Sequence, residues 1–134
     1  MARIERPDSA FMEPRQKRPR QRADAHLEFI RTLPCVISGC QNRDVHAAHI
    51  RGACPKLGKR QTGAGEKPSD HWTVPLCGSH HVYGQEAQHY TSEAAFWARH
   101  RIDPFVLALS LWAVTGEMEP ALGIIEEVQR ITKL

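Results

Sequence analysis

The apolar positions of the C-terminal third follow helical spacing. Asp103 and Pro104 form a typical helix start, because an Asp cap is followed by Pro at the first helical position. The residues that follow are apolar on nearly all sides up to Gly116, which predicts a helix in the core. Residues 120–132 place apolar side chains on one face and predict an amphipathic helix, and residues 23–33 predict another.

The middle of the chain has the pattern of a β-hairpin. Residues 45–51, which carry His49, predict one strand, and residues 72–76, with their β-branched and aromatic side chains, predict a second. Between them, residues 52–70 contain four Gly and two Pro and predict a long loop, a feature that is usually functional in a small domain. A helix is expected from Gly78 onward, loosened or interrupted at Gly84. These elements together predict a small α+β fold, a hairpin and helix flanked by further helices.

Charge and length divide the chain into a tail and one domain. Residues 1–22 hold seven basic and three acidic residues together with three Pro, and we expect a disordered basic tail. Residues 23–134 are long enough for a single domain. Within it, residues 43–67 hold six basic and two acidic residues. Two basic zones indicate a polyanionic partner, although a solvated tail and loop would have the same composition.

The hydropathy pattern also bears on location. No apolar run reaches 18 residues, and the N-terminus lacks the apolar core of a signal peptide. We therefore expect a cytoplasmic protein without a membrane partner. In a reducing compartment, Cys residues spaced with His are interpreted as metal ligands before they are interpreted as disulfides.

All four Cys and six of the eight His fall between positions 35 and 89. Cys35 and Cys40 form one pair, and Cys77 and His80 form another, each at the spacing of a metal-binding turn. Two such pairs predict a structural Zn2+ with four ligands and no open position. The alternative is that the cysteines are free and buried as small hydrophobic side chains.

The same stretch, residues 35–90, resembles a known family. A Cys pair is followed by Ala48-His49-Ile50, a basic Gly-rich loop, Leu76-Cys77-x-x-His80-His81 and Gln88-His89. This order is similar to that of the HNH, or His-Me finger, nucleases, and most similar to the phage and prophage branch that includes the RecA-dependent Ref nuclease. The resemblance implies a ββα-metal unit and a metal-dependent DNA endonuclease.

The resemblance also implies individual roles. His49 would be the general base that takes a proton from water, which a neutral imidazole does well near pH 7. His81 would bind a catalytic divalent ion, Mg2+ or Mn2+ and alternatively Zn2+, that stabilises the leaving oxygen. The expected product carries a 5′ phosphate.

Asp70 and His89 are two further candidate ligands of the catalytic ion. Asp70 is the nearest carboxylate to the place of the family's middle Asn, and it is either a metal ligand or a turn-capping residue. His89 follows His81 by eight residues, which on a straight helix is a rise of about 12 Å. Either the helix breaks at Gly84 and His89 reaches the ion, or His89 acts on a ligand without touching the ion.

The basic loop supplies the expected contacts to DNA phosphates. Two other functions remain open: a non-catalytic zinc-finger-like DNA-binding module, and an adaptor that binds a recombinase filament through its apolar C-terminal helices. The sequence does not determine the oligomeric state. The residues expected to contact DNA are Arg51, Lys56, Lys59, Arg60 and Lys67.

Overall fold

The structure, a computed structural model, describes residues 22–89 and 92–133. It is an α+β fold with one two-stranded antiparallel sheet and four helices in this part of the chain. The tail predicted to be disordered, residues 1–22, lies outside the described ranges apart from Arg22. The elements are α1 (Asp24–Arg31), β1 (Val45–His49), β2 (Thr73–Cys77), α2 (Glu93–His100), α3 (Pro104–Ala113) and α4 (Met118–Thr132).

The hairpin is the centre of the fold. Its register pairs Val45 with Cys77 and His49 with Thr73, so the last residue of β1 lies opposite the first residue of β2. Every residue of β2 is buried, Pro75 included. Pro75 lacks an amide hydrogen, but its carbonyl accepts a hydrogen bond from the Val36 N–H at 3.0 Å. The segment before β1 is thereby attached to the edge of β2 that does not pair with β1.

The helices cover the hairpin and enclose one hydrophobic core. The side chains of Ile30 from α1, Phe96 from α2, Leu111 from α3 and Ile125 from α4 are fully buried in it. Apolar burial of this kind contributes about 25 cal/mol per Å2 and is the main stabilising term of a domain this small. The predicted apolar faces of the helices are thus confirmed for these positions.

The helix starts also follow the sequence. Ser92 accepts a hydrogen bond from the Ala95 N–H at 3.0 Å, and Asp103 accepts from the Phe105 and Val106 N–H groups at 3.0 and 3.2 Å. These side chains satisfy amide groups that have no partner inside the helix.

Among the described residues, none of the helices has both the length and the apolar character that a membrane span requires.

The region after β2 departs from a straight helix. A short helical turn, Ser79–Tyr83, closes with a hydrogen bond of 2.9 Å from the Gly84 N–H to the Ser79 carbonyl, five residues back. Gly84 itself is extended, and a Cβ there would lie 2.6 Å from the Ser79 oxygen. Only Gly therefore fits this close approach. The break at Gly84, one of the two alternatives from the sequence, is confirmed.

Candidate functional site

Three cysteines and one histidine meet beside the start of β1. Cys35 and Cys40 come from the turn that precedes β1, where Gly39 has a φ of +81°. Cys77 is the last residue of β2, and His80 lies in the Ser79–Tyr83 turn that follows. Their candidate ligand atoms all lie within 4.8 Å of one another.

Two of the three short distances inside this cluster match a tetrahedral metal site, and the third is shorter. Cys77 Sγ lies 3.6 Å from Cys40 Sγ and 3.1 Å from His80 Nδ1, and Cys35 Sγ lies 3.7 Å from the same nitrogen. Ligand bonds of about 2.3 Å to sulfur and 2.0–2.1 Å to nitrogen place neighbouring ligand atoms of a tetrahedron roughly 3.5 Å apart or slightly more. The cluster could therefore hold a metal ion such as zinc.

The thiols differ in how easily they ionise. Burial raises the pKa of Cys35 to about 12. Burial also opposes ionisation of Cys77, but hydrogen bonds from Asn42, His80 and Cys40 outweigh it and lower the pKa of Cys77 to about 6. Cys77 is therefore the more easily ionised of these two thiols. A bound cation would remove the difference, since coordinated thiols lose their protons.

A second constellation joins the end of β1 to the loop. His49 Nε2 lies 2.9 Å from Asp70 Oδ1. Asp70 is fully buried, and its other oxygen, Oδ2, accepts the Ala23 N–H at 2.8 Å. A buried carboxylate that holds one ring nitrogen fixes both the orientation of the imidazole and the nitrogen that carries the proton. Asp70 thus contacts His49 and holds its ring in place.

Three histidines form the third part of the site. His81 Nδ1 lies 3.0 Å from His46 Nδ1, and the rings of His81 and His89 are 4.5 Å apart. His89 reaches His81 because the chain folds back after Gly84: the His89 N–H bonds the His81 carbonyl at 3.1 Å. A separation of 3.0 Å is that of an ordinary N–H···N hydrogen bond. It is also close to the separation of two nitrogens bound at right angles, each about 2.1 Å from one ion, as in an octahedral site.

His46 is a member of this group that the sequence pattern does not single out. Its side chain is 27% exposed and also packs edge-on against Tyr83 at 6.1 Å. The signal in the sequence was its place three residues before His49 on a strand whose neighbour leads into His80-His81. Strand pairing, which the sequence does not state, brings it to His81.

His81 is neutral in this environment. Burial lowers its pKa to about 4, and the neighbouring His89, His46 and His49 act in the same direction. An imidazole that remains unprotonated near pH 7, as His81 does, presents a nitrogen lone pair, which is what a divalent ion binds. All-imidazole sites suit Zn2+ and other transition metals better than Mg2+.

The basic loop is partly occupied by its own contacts. Lys59 is only 6% exposed, and its ammonium donates to the Gly52 and Arg60 carbonyls at 2.7 and 3.2 Å. Burial lowers its pKa. Arg51 donates to the Glu66 and Gly63 carbonyls, and Arg60 pairs with Glu66 at 2.6 Å. These side chains organise the loop.

Lys56 and Lys67, by contrast, are exposed on the same loop. Among the residues expected to contact DNA, these two lie at the surface and make none of the contacts within the loop described above. The sequence could not separate the two groups, because a Lys that holds a loop together and a Lys that faces solvent have the same composition.

A buried polar layer lies behind Asp70. His26 is 1% exposed, and its Nδ1 lies 2.7 Å from Thr115 Oγ1. Burial lowers the pKa of His26 to about 4. Its ring stands edge-on to Trp112 at 4.8 Å, and His71 packs between Trp72 and Trp112. His26, interpreted from the sequence as an ordinary helix residue, is therefore part of the core that supports the site.

The fold and its site define a small α+β protein with a Cys/His cluster that could hold a metal ion beside a histidine-rich hairpin. The family described as "Protein of unknown function (DUF968)" matches residues 3–102, about three quarters of the chain, and the chain belongs to that family. No curated protein and no solved structure matches the chain.

Proposed function

We propose that this protein is a metal-dependent DNA endonuclease of the HNH, or His-Me finger, type. The observation that carries the proposal is the arrangement at the end of the hairpin. His49 is held by a buried carboxylate, and His81, on the turn after β2, meets two further histidines. Strand, strand and helical turn then correspond to a ββα-metal unit.

His49 is the proposed general base. Asp70 holds the proton on His49 Nε2, so the proton acceptor is Nδ1, which takes a proton from the attacking water. The water oxygen forms a bond to phosphorus while the bond from phosphorus to the 3′ oxygen breaks. The 3′ oxygen leaves as an alkoxide and takes a proton from solvent water, so the products are a 5′ phosphate and a 3′ hydroxyl. The position of His49 at the last residue of β1, fixed by Asp70, supports this role.

His81, His89 and His46 are the proposed ligands of the catalytic ion. A divalent ion held by these residues would supply positive charge to the phosphate and to the leaving oxygen. Because these donors are imidazoles and the Asp70 carboxylate contacts His49, we favour Mn2+ or Zn2+ over Mg2+.

The ion proposed for the Cys/His cluster is a structural Zn2+, since its four ligands leave no position for water or substrate. These ligands are Cys35, Cys40, Cys77 and His80.

A non-catalytic zinc-binding DNA module is the second candidate. One observation favours it: the Cys/His cluster forms a complete ligand set, while the three histidines lie outside the group whose ligand atoms are all within 4.8 Å. Such a protein would bind DNA without cutting it.

Plasmid nicking separates the two candidates. The protein, carrying the zinc it was purified with, is incubated with supercoiled DNA and increasing Mn2+, Zn2+ or Mg2+. We expect nicking that depends on the added ion, and His81→Ala should need a higher ion concentration for the same rate because it removes a ligand. Glu126→Ala, at an exposed residue of α4, is the control. DNA binding without nicking at any ion concentration would favour the binding module.

A further inference from the structure

A cavity of about 440 Å3 lies where α2 and α4 end. One wall is the turn at residues 37–39, between the candidate zinc ligands Cys35 and Cys40. The other walls are residues 99–102, at the end of α2, and Thr132 with Lys133, at the end of α4. The volume lies within the range of ligand pockets, roughly 300–1,000 Å3.

The cations of the C-terminal part of the chain gather at this cavity. Residues 92–133 hold four basic and six acidic residues, so this part is negative overall. Three of the four basic residues line the cavity: Arg99, Arg101 and Lys133. The fourth, Arg130, pairs instead with Glu127 at 2.6 Å. Among the lining residues that the structure describes, none is a carboxylate, so the fold separates the charges that the sequence mixes.

One of these cations has a structural role. Arg101 directly follows α2, and its guanidinium donates to the Thr132 carbonyl at 2.8 Å, which joins the ends of α2 and α4. Carbonyl groups at the C-terminus of a helix attract cations in this way. Arg101 is therefore part of the wall, and Arg99 and Lys133 are the candidates for binding a ligand.

Arg99 and Lys133 are both exposed. Arg99 Nη1 lies 3.4 Å from Glu86 Oε2, and the two side chains are 43% and 77% exposed. Exposed ion pairs of this kind are weak, so a bound anion can replace the Glu86 carboxylate. Cations that line one cavity also repel each other, and an anion between them removes that repulsion. The cavity is therefore suited to an anionic ligand.

The cavity adjoins the turn that carries His81. The ring of His100, which lines the cavity, lies 5.9 Å from the ring of His80, the residue before His81. Each strand of DNA carries one phosphate per about 3.4 Å of the helix axis. A strand with one phosphate at His81 therefore brings neighbouring phosphates towards the cavity.

The loop after β1 offers less positive charge to DNA than its composition indicates. Arg51 and Lys59 donate to carbonyl groups of the loop, and Arg60 pairs with Glu66. A protein that binds DNA through this face needs cations from elsewhere in the fold. The ends of α2 and α4 supply them.

We infer that this cavity binds phosphate groups of the DNA backbone next to the cut site, with Arg99 and Lys133 as the contacting cations. The inference rests on the proposed function, because DNA is the ligand in both. Contacts of this kind fix the position of a strand without reading its sequence. The half-buried Ser38, in the facing wall, adds a hydroxyl, which is another common partner of phosphate oxygens.

The test measures how salt weakens DNA binding. The zinc-containing protein is titrated into a fluorescently labelled duplex, without added divalent ion, between about 50 and 200 mM salt. Each phosphate contact steepens the plot of log K against log salt concentration by about 0.9. The double variant Arg99→Gln with Lys133→Gln should therefore flatten the slope by about 2, equally for duplexes of different sequence, and each substitution alone by about 1.

The matched control removes the same charge elsewhere. Arg31 and Arg130 are exposed and lie outside the cavity lining, so Arg31→Gln with Arg130→Gln should leave the slope at the wild-type value. Zinc content and thermal unfolding check that both variants are folded. A wild-type slope in the Arg99/Lys133 variant, or equal flattening in the control, would overturn the inference and leave the nuclease proposal intact.

Plasmid nicking by the same preparations separates this inference from the proposed function. The predicted slopes together with nicking by the wild type would support both. The predicted slopes without nicking at any ion concentration would support the phosphate-binding cavity and refute the nuclease proposal. If the wild type does not bind DNA at all, both fail.

Discussion

Replacing Asp70 by Asn changes one buried atom and affects two hydrogen bonds. Asp70 uses Oδ1 for His49 Nε2 at 2.9 Å and Oδ2 for the Ala23 N–H at 2.8 Å. Both partners approach as donors when Nε2 carries the proton. An Asn amide has one oxygen and one NH2 group, so it can accept only one of these bonds.

Each orientation of the amide has a different consequence. If the NH2 group faces Ala23, two donors meet in a fully buried place, and an unsatisfied group of this kind costs about 1–3 kcal/mol. If it faces His49, the imidazole must move its proton to Nδ1, and the nitrogen proposed to accept a proton from water is no longer available. That loss should slow cleavage by about 10²–10⁴-fold.

The assay therefore measures both quantities on the same preparation. Thermal unfolding gives the stability, and the single-turnover rate of plasmid nicking at saturating Mn2+ gives the activity. Asp24→Asn, at an exposed carboxylate on α1, is the matched control and should change neither. An Asp70→Asn protein with wild-type stability and wild-type nicking rate would refute the assignment of Asp70 as the residue that orients His49.

Two further predictions concern metal and pH. Metal analysis should find roughly one zinc per chain, and Cys77→Ser should abolish it and prevent stable folding, because structural zinc contributes on the order of 10 kcal/mol to folding. Cys54→Ser, outside the cluster, should retain the metal. Zinc retained in folded Cys77→Ser would contradict the site. His26 has a folded pKa of about 4, below its ordinary 6.5, so the stability it contributes is present above pH 6.5 and lost as the pH falls towards 4. Denaturant unfolding should show the wild type losing roughly 2 kcal/mol more than His26→Gln between pH 7 and 5, and equal losses would show that His26 does not titrate in this way.

Local patterns in the sequence were enough for much of the fold. The cap of Asp103 followed by Pro104, and the apolar faces of the C-terminal helices, depend on neighbours within one or two turns and were confirmed. The four residues of the Cys/His cluster were also identified from spacing alone, because each pair lies in a turn whose length fixes the separation of its side chains.

The rest of the site depends on contacts between distant segments. His46 meets His81 through strand pairing, and Asp70 meets His49 through the course of a loop of about 20 residues. No periodicity encodes either contact. The role of Lys59 was missed for a related reason, since only the folded loop surrounds its ammonium with carbonyl groups. Charge could indicate that the loop is basic, but not which cations face solvent.

The central proposal is that His49 removes a proton from water during metal-dependent DNA cleavage. The most direct measurement is the single-turnover nicking rate of His49→Ala at an Mn2+ concentration that saturates the wild type, with equal zinc content in both proteins. We expect a rate about 10²–10⁴-fold lower, with unchanged DNA affinity and no recovery when more Mn2+ is added, because a base and not a ligand has been removed. Cleavage by His49→Ala at the wild-type rate would contradict the proposal.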